Sequence, residues 1–422
     1  MFPTPPPNLP PDPVTPVPLP PAHKIAMLGA TGLATLLAAL SMLGPFSIDA
    51  YLPAFPNIQL ALQATQIEVQ QTLTAYMLAF AVMVLWHGAL ADAFGRRNVI
   101  LVSLVVFAIG TLGCASAHSV HYLWIFRIMQ GVSAGAGVVV GRAIIRDLYS
   151  DAPAARLLSL VTMIFSIAPA IAPVLGGWIV KFFDWRTIFL ALLGYTIVLG
   201  WFCYKRLPET LPKEKRQPFN PGYVAQNYWA IFSSPLFHMK AGVVSANFAG
   251  MFLYIAAAPV MLPEHLKLGP DQFAWLFIPT VSGLFLGSLA ANRMAGKSTF
   301  GRQVALGFCF MLSAAAANVL YHVFMPPAVP WSVAPMFFYT FGSSLMAPAV
   351  TLLALDMFPH IRGTVASCQS FAVTLLGALV AGVIAPFLSH SVLWLASGQL
   401  AFALFSLVLW TASRRYRSRR PA

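Results

Sequence analysis

Charged residues are scarce in this sequence, and that scarcity decides the class of protein. They make up 9% of the 422 residues, whereas 59% of the residues are hydrophobic. A soluble domain carries about 25% charged residues, so a water-facing surface cannot be built from this composition. A soluble enzyme, a disordered scaffold and a secreted disulfide-rich module are therefore excluded.

Cysteine is also scarce, and no nucleotide-binding loop occurs. The four cysteines lie inside apolar runs without a close-spaced pair, so we expect neither a disulfide framework nor a metal site. The absence of a Walker loop argues against an ATP-driven pump, and we expect no cofactor. The cysteines are Cys114, Cys203, Cys309 and Cys368.

Long apolar runs dominate the sequence instead, and twelve of them can be marked. An apolar run of about 20 residues is long enough to cross a bilayer as a helix. The sequence therefore predicts an all-α membrane protein with twelve transmembrane helices. The predicted spans are 25–51, 68–91, 98–117, 121–142, 157–180, 187–205, 238–262, 272–292, 303–325, 331–353, 364–388 and 392–413.

Polar and proline-rich stretches divide the chain into five segments. Residues 1–24 are so rich in proline that they cannot hold a helix, and we expect a disordered cytoplasmic tail. No cleavable signal peptide is recognisable, so the first span is expected to act as a retained signal anchor. Six-helix bundles are predicted over 25–205 and 238–413, with a polar linker over 206–237 and a basic tail over 414–422.

The formal net charge of +13 has two interpretations. A basic protein can bind nucleic acid, but membrane proteins collect Lys and Arg on their cytoplasmic side. With the N-terminus in the cytoplasm, all but four of the Lys and Arg residues fall on that side or in its tails. We therefore predict a multi-pass membrane protein with both termini in the cytoplasm and no nucleic-acid partner.

An internal repeat favours a division into halves. The chain reads RDLY at 146–149, after the fourth span, and LDMF at 355–358, after the tenth. These are equivalent places in two six-span units, which predicts two parallel, pseudo-symmetric halves. Transporters built from such halves rock about a central binding site.

The segment from Gly88 to Arg97, GALADAFGRR, is the strongest local signal. Its glycines allow close helix approach and a tight turn, and Asp92 can pair with a following arginine or cap the next helix. An ordinary positively charged loop is the plain alternative. We interpret the segment as a charge latch that holds one of two bundle arrangements. Its expected members are Gly88, Asp92, Gly95, Arg96, Arg97, Arg146, Asp147 and Asp356.

GALADAFGRR resembles the signature loop of the major facilitator superfamily, and further segments resemble the Bcr/CflA drug-resistance transporters. The resemblance extends from about residue 28 to the end and leaves out the proline-rich tail. It implies the major facilitator fold and the export of drugs such as bicyclomycin, chloramphenicol or sulfonamides, driven by the proton gradient. The segments are LGPFSIDAYLPAFP at 43–56, RAIIRDLY at 142–149, LPETLP at 207–212, FAGMF at 248–252 and LDMFPH at 355–360.

Asp49 and Arg127 are ionisable residues inside predicted spans, where such residues are costly and usually functional. Both lie near the outer ends of their spans, at similar depth. The sequence Met129-Gln130-Gly131 after Arg127 resembles the span-4 motif that is tied to proton coupling in the superfamily. We hypothesise that Asp49 carries the proton and that Arg127 tunes it. The alternatives are a solvated carboxylate at a helix end and an arginine that tethers helices.

Span 5 contains Pro169, Pro173, Gly176 and Gly177, which predict a kinked helix with tight packing. The segment resembles the antiporter motif of the superfamily imperfectly, because Pro169 is followed by alanine where Gly-Pro is expected. A kinked helix without any role in the direction of transport is the alternative.

Substrate contacts are expected among polar and aromatic residues inside the spans, since small-molecule sites are apolar with a few polar groups. Packing or helix–helix hydrogen bonding is the alternative for each candidate. We expect a monomer whose partners are a small drug-like molecule, protons and the lipid bilayer. The candidates are Tyr51, Tyr76, Gln130, Asn247, Phe252, Tyr254, Tyr339 and Gln369.

Two other functions stay open at this point. An uptake symporter can use the same architecture, although the antiporter-like span 5 argues against it. A membrane-embedded enzyme needs a nucleophile–base set, which is not recognisable, or a soluble lobe. The longest loop, 206–237, is too short for such a lobe.

Overall fold

The computed structural model describes residues 29–418, and no strand occurs within them. The predicted proline-rich tail, 1–24, and the last residues of the basic tail, 419–422, lie outside the described residues. Twelve helices of the described part are long and apolar enough to cross a membrane. The predicted all-α membrane fold is therefore confirmed.

The spans lie close to their predicted positions, with one exception at the first. Long apolar helices suit lipid because they satisfy their backbone hydrogen bonds internally. Spans 1 to 12 are Gly29–Leu62, Gln66–Phe94, Arg96–Ala115, Val120–Leu148, Arg156–Phe182, Arg186–Arg206, Pro235–His265, Pro270–Met294, Phe300–Phe324, Ala334–Leu355, Pro359–Leu388 and Val392–Tyr416.

Span 1 is longer than predicted, so the expected end at residue 51 is wrong. Its first helix ends at Asp49 and is followed by a 3-10 turn, Leu52–Ala54, and a second helix, Phe55–Leu62. Pro53 and Pro56 occupy first-turn positions of these two elements, where a missing N–H removes no helical hydrogen bond. The span therefore breaks after Asp49 and restarts.

Four other spans contain irregular segments. Span 5 consists of two helices, Asp151–Phe165 and Ala168–Phe182. Span 4 consists of two helices, Val120–Ala134 and Ala136–Leu148, with Gly135 between them. Spans 7 and 11 contain short π-helical segments, Met261–His265 and Val380–Ile384. Segments of this kind are frequently found at functional sites.

The spans pack as two groups: spans 1–6, the N-terminal half, and spans 7–12, the C-terminal half. Span 2 packs on span 4, and span 10 packs on spans 8 and 9. The halves contact each other where span 2 meets span 11 and where span 5 meets span 8. Large apolar side chains such as Val102, Val105 and Trp201 are exposed on the outside of the bundle, which fits a surface covered by lipid.

The connection between the halves contains structure of its own. A 3-10 turn, Lys213–Lys215, is followed by a helix, Pro221–Phe232, which we name the linker helix. The connection lies on the side of the bundle that carries Arg96 and Arg97. We name this side the basic face and the other side the opposite face.

Candidate transport site

Arg127 of span 4 is completely buried in the N-terminal half. Its Nη1 group donates hydrogen bonds to the carbonyl (3.0 Å) and the hydroxyl (2.8 Å) of Ser47 in span 1, and to Oε1 of Gln130 (2.9 Å). Gln130 donates in turn from Nε2 to the Thr111 hydroxyl of span 3, at 2.8 Å. Residues from three spans therefore fix the guanidinium.

Two tyrosine rings face the same guanidinium. Its central carbon lies 4.9 Å from the ring centroid of Tyr51 and 4.3 Å from that of Tyr76. A cation over an aromatic face is attracted by the ring, and more strongly where water is excluded. Three of the candidate substrate contacts, Tyr51, Tyr76 and Gln130, thus surround Arg127.

Asp49 is the last residue of the first helix of span 1, and 5% of its surface is exposed. It follows Ser47 by two residues, which is about 200° around the helix. The carboxylate and the Ser47 hydroxyl therefore leave the helix on opposite sides. Within residues 29–418, no basic side chain forms an ion pair with Asp49. Its role as a proton carrier stays a prediction.

The two glycines of span 5 lie where other backbones pass. A side-chain carbon at Gly176 would collide with the carbonyl of Ala50 in span 1, and one at Gly177 would collide with the carbonyl of Pro270 in span 8. Only glycine fits at either position without a shift of the backbone. The prolines at the start and in the interior of the same helix are Pro169 and Pro173.

The halves are held together on the opposite face. Gly177 brings the backbones of spans 5 and 8 into contact, and close by, Lys181 and Asp271 form an ion pair of 2.8 Å. Gln71 of span 2 donates to the carbonyl of Gly382 in span 11, also at 2.8 Å. The opposite face is therefore closed in this conformation.

Arg96 is the centre of the predicted latch on the basic face. It forms ion pairs with Asp92 at 2.5 Å and with Asp147 at 3.1 Å, and the hydroxyl of Thr210 donates to the same Asp147 oxygen at 2.8 Å. Only 10% of the Arg96 side chain is exposed, so these charge-assisted bonds are little screened by solvent. The latch joins spans 2, 3 and 4 to the connection between the halves.

Glu209, quoted above only within LPETLP, also belongs to this latch. Its Oε1 accepts from the backbone N–H of Arg96 at 2.9 Å, and its Oε2 lies 3.5 Å from Nη2 of Arg216. Gly95 has a φ of 95°, a conformation that favours glycine. A side-chain carbon at Gly95 would also collide with Glu209.

The remaining latch candidates lie outside this cluster. Gly88 lies where span 2 approaches span 4, and Arg97 donates to a span 6 carbonyl at 2.7 Å. Arg146 is exposed. Asp356 pairs with Arg362 at 2.8 Å in the C-terminal half.

The linker helix touches both halves on the basic face. Its Tyr228 hydroxyl donates to the carbonyl of Leu85 in span 2, and Ile231 packs against Val365 and Cys368 of span 11. Burial raises the pKa of the Tyr228 phenol, which therefore remains a donor. The connection thus bridges the halves as well as joining them in sequence.

The substrate candidates of the C-terminal half are all buried. Tyr339 donates to the carbonyl of Asn247 at 3.3 Å, Tyr254 bonds with an asparagine of span 9, and Gln369 donates to a threonine of span 10. Phe252 stacks on the ring one turn earlier and lies beside the crossing of spans 2 and 11. Phe252 and Met77 of span 2 both approach Gly377 of span 11, where the halves meet.

Twelve spans in two contacting halves, with charged groups buried at a break in span 1, define a secondary transporter of the membrane. The chain belongs to the Major Facilitator Superfamily, whose profile matches residues 35–381. It is a transporter rather than an enzyme and a multi-pass protein of the bacterial inner membrane. The family resemblance carried by the sequence motifs is thus confirmed.

Several curated proteins are similar over most of their length. A superfamily transporter of Bacillus subtilis, YdgK, is 31% identical, with 83% of this chain and 88% of that protein covered. A bicyclomycin resistance protein homolog of Haemophilus influenzae is 28% identical, with 83% and 87% covered. Multidrug resistance protein D of Escherichia coli is 27% identical, with 79% and 83% covered.

Solved structures share the fold at low sequence identity. A bacterial homolog of the human lysosomal transporter Spinster, inward-facing and unoccupied, has a TM-score of 0.67 and 17% identity, covering 93% of this chain and 98% of that one. A D-xylose–proton symporter has a TM-score of 0.66 and 16% identity, covering 91% and 97%. These likenesses concern the fold alone.

Proposed function

We propose that this protein is a proton-driven antiporter that exports small drug-like molecules, such as bicyclomycin, chloramphenicol or sulfonamides. It acts as a monomer, with the basic face and both termini in the cytoplasm. The relatives named for bicyclomycin and multidrug resistance support drug efflux. The observation that carries the proposal is the buried pair of opposite charges, Asp49 and Arg127, at the break in span 1.

Asp49 carries the proton in this mechanism. An ionised carboxylate is costly in a buried site, so a conformational change that alters its surroundings also changes its proton occupancy. Arg127 supplies the positive charge whose position relative to Asp49 differs between conformations. Release of the proton from Asp49 is thereby coupled to uptake of the drug on the same side of the membrane.

The two predicted bundles, 25–205 and 238–413, rock against each other along the interface formed by spans 2 and 5 with spans 11 and 8. The drug binds between the halves near Phe252, the candidate beside their contact. The contacts on the opposite face release when that side opens, and the latch around Arg96 keeps spans 2, 3 and 4 together during the movement.

Inside-out membrane vesicles test the proposal. Respiration acidifies their lumen, and added chloramphenicol or bicyclomycin should discharge the proton gradient, seen as recovery of a quenched acridine dye. A symporter gives no such recovery. Asp49→Asn should be inserted in equal amount and give none. Full recovery in Asp49→Asn refutes the assigned role of Asp49, and no recovery in the wild type across a panel of drugs refutes drug–proton antiport.

A further inference from the structure

The first helix of span 1 ends inside the bundle, and its last carbonyls need partners. The final four carbonyls of a helix have no donor within that helix. Here the helix ends at Asp49, and Pro53, four residues later, has no N–H to offer the Asp49 carbonyl. The carbonyl of Ser47, in the same last turn, accepts a hydrogen bond from the Arg127 side chain at 3.0 Å.

Arg127 therefore acts as the cap of this helix end. A helix carries partial negative charge at its C-terminus, and a cation placed there is stabilised. Within residues 29–418 no carboxylate forms an ion pair with Arg127. Its charge is compensated by the helix end, by the Gln130 amide oxygen and by two tyrosine rings.

The Ser47 hydroxyl strengthens this arrangement. It accepts from the same Nη1 group at 2.8 Å, so one residue contributes two of the acceptors. Asp49, two residues further on, leaves the helix on the other side. The bonds to Ser47 therefore hold the guanidinium on the side of the helix away from Asp49.

Few other titratable groups surround the break. Span 5 contributes none from residue 157 to residue 180. The groups with a contact close to the break are Tyr51 of span 1 itself, Tyr76 of span 2, Cys114 of span 3, Arg127 of span 4, Tyr195 of span 6 and the Lys181–Asp271 ion pair of spans 5 and 8.

We infer that Ser47 is a positioning residue for proton exchange, which holds Arg127 on the end of the span 1 helix and away from Asp49. This inference rests on the proposed antiport. Removal of the hydroxyl takes away one of the three acceptors of Nη1 and leaves the Ser47 carbonyl and Gln130. The guanidinium is then held less firmly, and a shift toward Asp49 stabilises the ionised form of that carboxyl group. The pH at which drug-driven proton exchange is half-maximal should then move to lower values.

The test compares Ser47→Ala with Ser41→Ala in inside-out vesicles between pH 5.5 and 8.5, with chloramphenicol as the probe. Ser41 is a matched control, because it is buried on the same helix and its hydroxyl bonds only to its own helix, at the Leu37 carbonyl. We expect the midpoint of Ser47→Ala to fall by about half a pH unit or more, as for the loss of one hydrogen bond. Ser41→Ala should have the wild-type pH profile. Ser47→Thr, which keeps a hydroxyl, should also have the wild-type pH profile.

A second variant keeps the test decisive if Ser47→Ala does not fold. Thr111→Val removes the anchor of Gln130, and it should shift the midpoint in the same direction by a smaller amount. A wild-type profile in folded Ser47→Ala, or in Thr111→Val when it is used instead, overturns the inference while leaving antiport intact. A wild type without drug-driven proton exchange refutes the proposed function and, with it, the inference.

Discussion

Gln71 of span 2 donates a hydrogen bond of 2.8 Å to the carbonyl of Gly382 in span 11. Four residues after Gly382 the chain has Pro386, which has no N–H to donate back to that carbonyl. A proline of one half thus leaves an acceptor free for a glutamine of the other. The bond lies on the opposite face, where the halves are closed.

Gln71→Ala should weaken the closure of the opposite face. Loss of about 1 kcal/mol from one hydrogen bond shifts the balance of closed and open forms about fivefold. In a cysteine-free background, a cysteine at Thr74, which lies against Gly382, should react correspondingly faster with an impermeant maleimide. Gln59→Ala, on span 1, should leave the rate unchanged. Equal rates in all three proteins contradict a gating role for Gln71.

Cross-linking across Lys181 and Asp271 should stop transport. Their ion pair is half-exposed, at 50% and 31% of the two side chains, and exposed pairs contribute only about 0–1 kcal/mol. Asp271→Asn alone should therefore change efflux less than about fivefold. A double-cysteine variant, Lys181→Cys with Asp271→Cys, joined by a short bifunctional thiol reagent, should lose efflux and regain it on reduction. Unimpaired efflux in the cross-linked protein shows that spans 5 and 8 do not separate.

The sequence predicts the parts of this protein that depend on local pattern. Twelve spans follow from apolar runs, and the Asp92–Arg96 pair joins residues only four positions apart, at the end of span 2 and the start of span 3. Glu209 and Gln71 could not be assigned in the same way. Their partners lie 113 and 311 positions away in the chain, and only the packing of the spans brings them together.

The end of span 1 is predicted only in part. Its apolar run predicts an end at residue 51, and the first helix does end nearby, at Asp49, but the second helix is missed, although proline fits the first turn of a new helix. The span continues to Leu62, and the break becomes the place where Arg127 docks on Ser47. The sequence predicts substrate contacts at Tyr51, Tyr76 and Gln130. In the structure these residues surround the buried Arg127, because a buried cation also needs aromatic and polar neighbours.

Gly95→Ala should destabilise the protein more than Gly296→Ala. Both glycines have positive φ, 95° and 74°, and both follow an even-numbered span, so alanine adds backbone strain of about 1 kcal/mol at each. No neighbour lies within 4 Å of a side-chain carbon at Gly296, whereas one at Gly95 collides with Glu209 and Arg216. A shift of Glu209 to make room disturbs its hydrogen bond to the Arg96 N–H, which contributes about 1 kcal/mol. Thermal unfolding in detergent measures the difference, and equal melting temperatures contradict the collision.

Asp147→Asn should impair the protein more than Asp356→Asn, although both sit at equivalent places of the repeat. Asp147 bonds to an Arg96 side chain that is 10% exposed, while Asp356 and Arg362 are both more than half exposed. A hydrogen bond to a buried charge contributes about 1.5–3 kcal/mol, and an exposed ion pair about 0–1 kcal/mol. Melting temperature and efflux rate should fall clearly for Asp147→Asn alone. Similar losses in the two variants contradict the unequal burial as the cause.

Arg127→Lys should abolish most transport even though the charge is kept. An ammonium group cannot reproduce the planar set of donors that reaches Ser47 and Gln130 while the guanidinium stacks on Tyr51 and Tyr76. We expect at least a tenfold loss of efflux, or about 1.4 kcal/mol, at unchanged protein level.

Arg97→Lys is the matched control for this change. Arg97 also lies over a tyrosine ring, at 5.4 Å from the Tyr204 centroid, and also donates to a carbonyl, but it is only partly buried and lies on the basic face. Its replacement should change efflux less than about twofold, since contacts that solvent reaches contribute little. If Arg127→Lys and Arg97→Lys both keep efflux, transport needs only the positive charge of Arg127. If both lose efflux equally, the buried position of Arg127 beside the break in span 1 does not explain the loss.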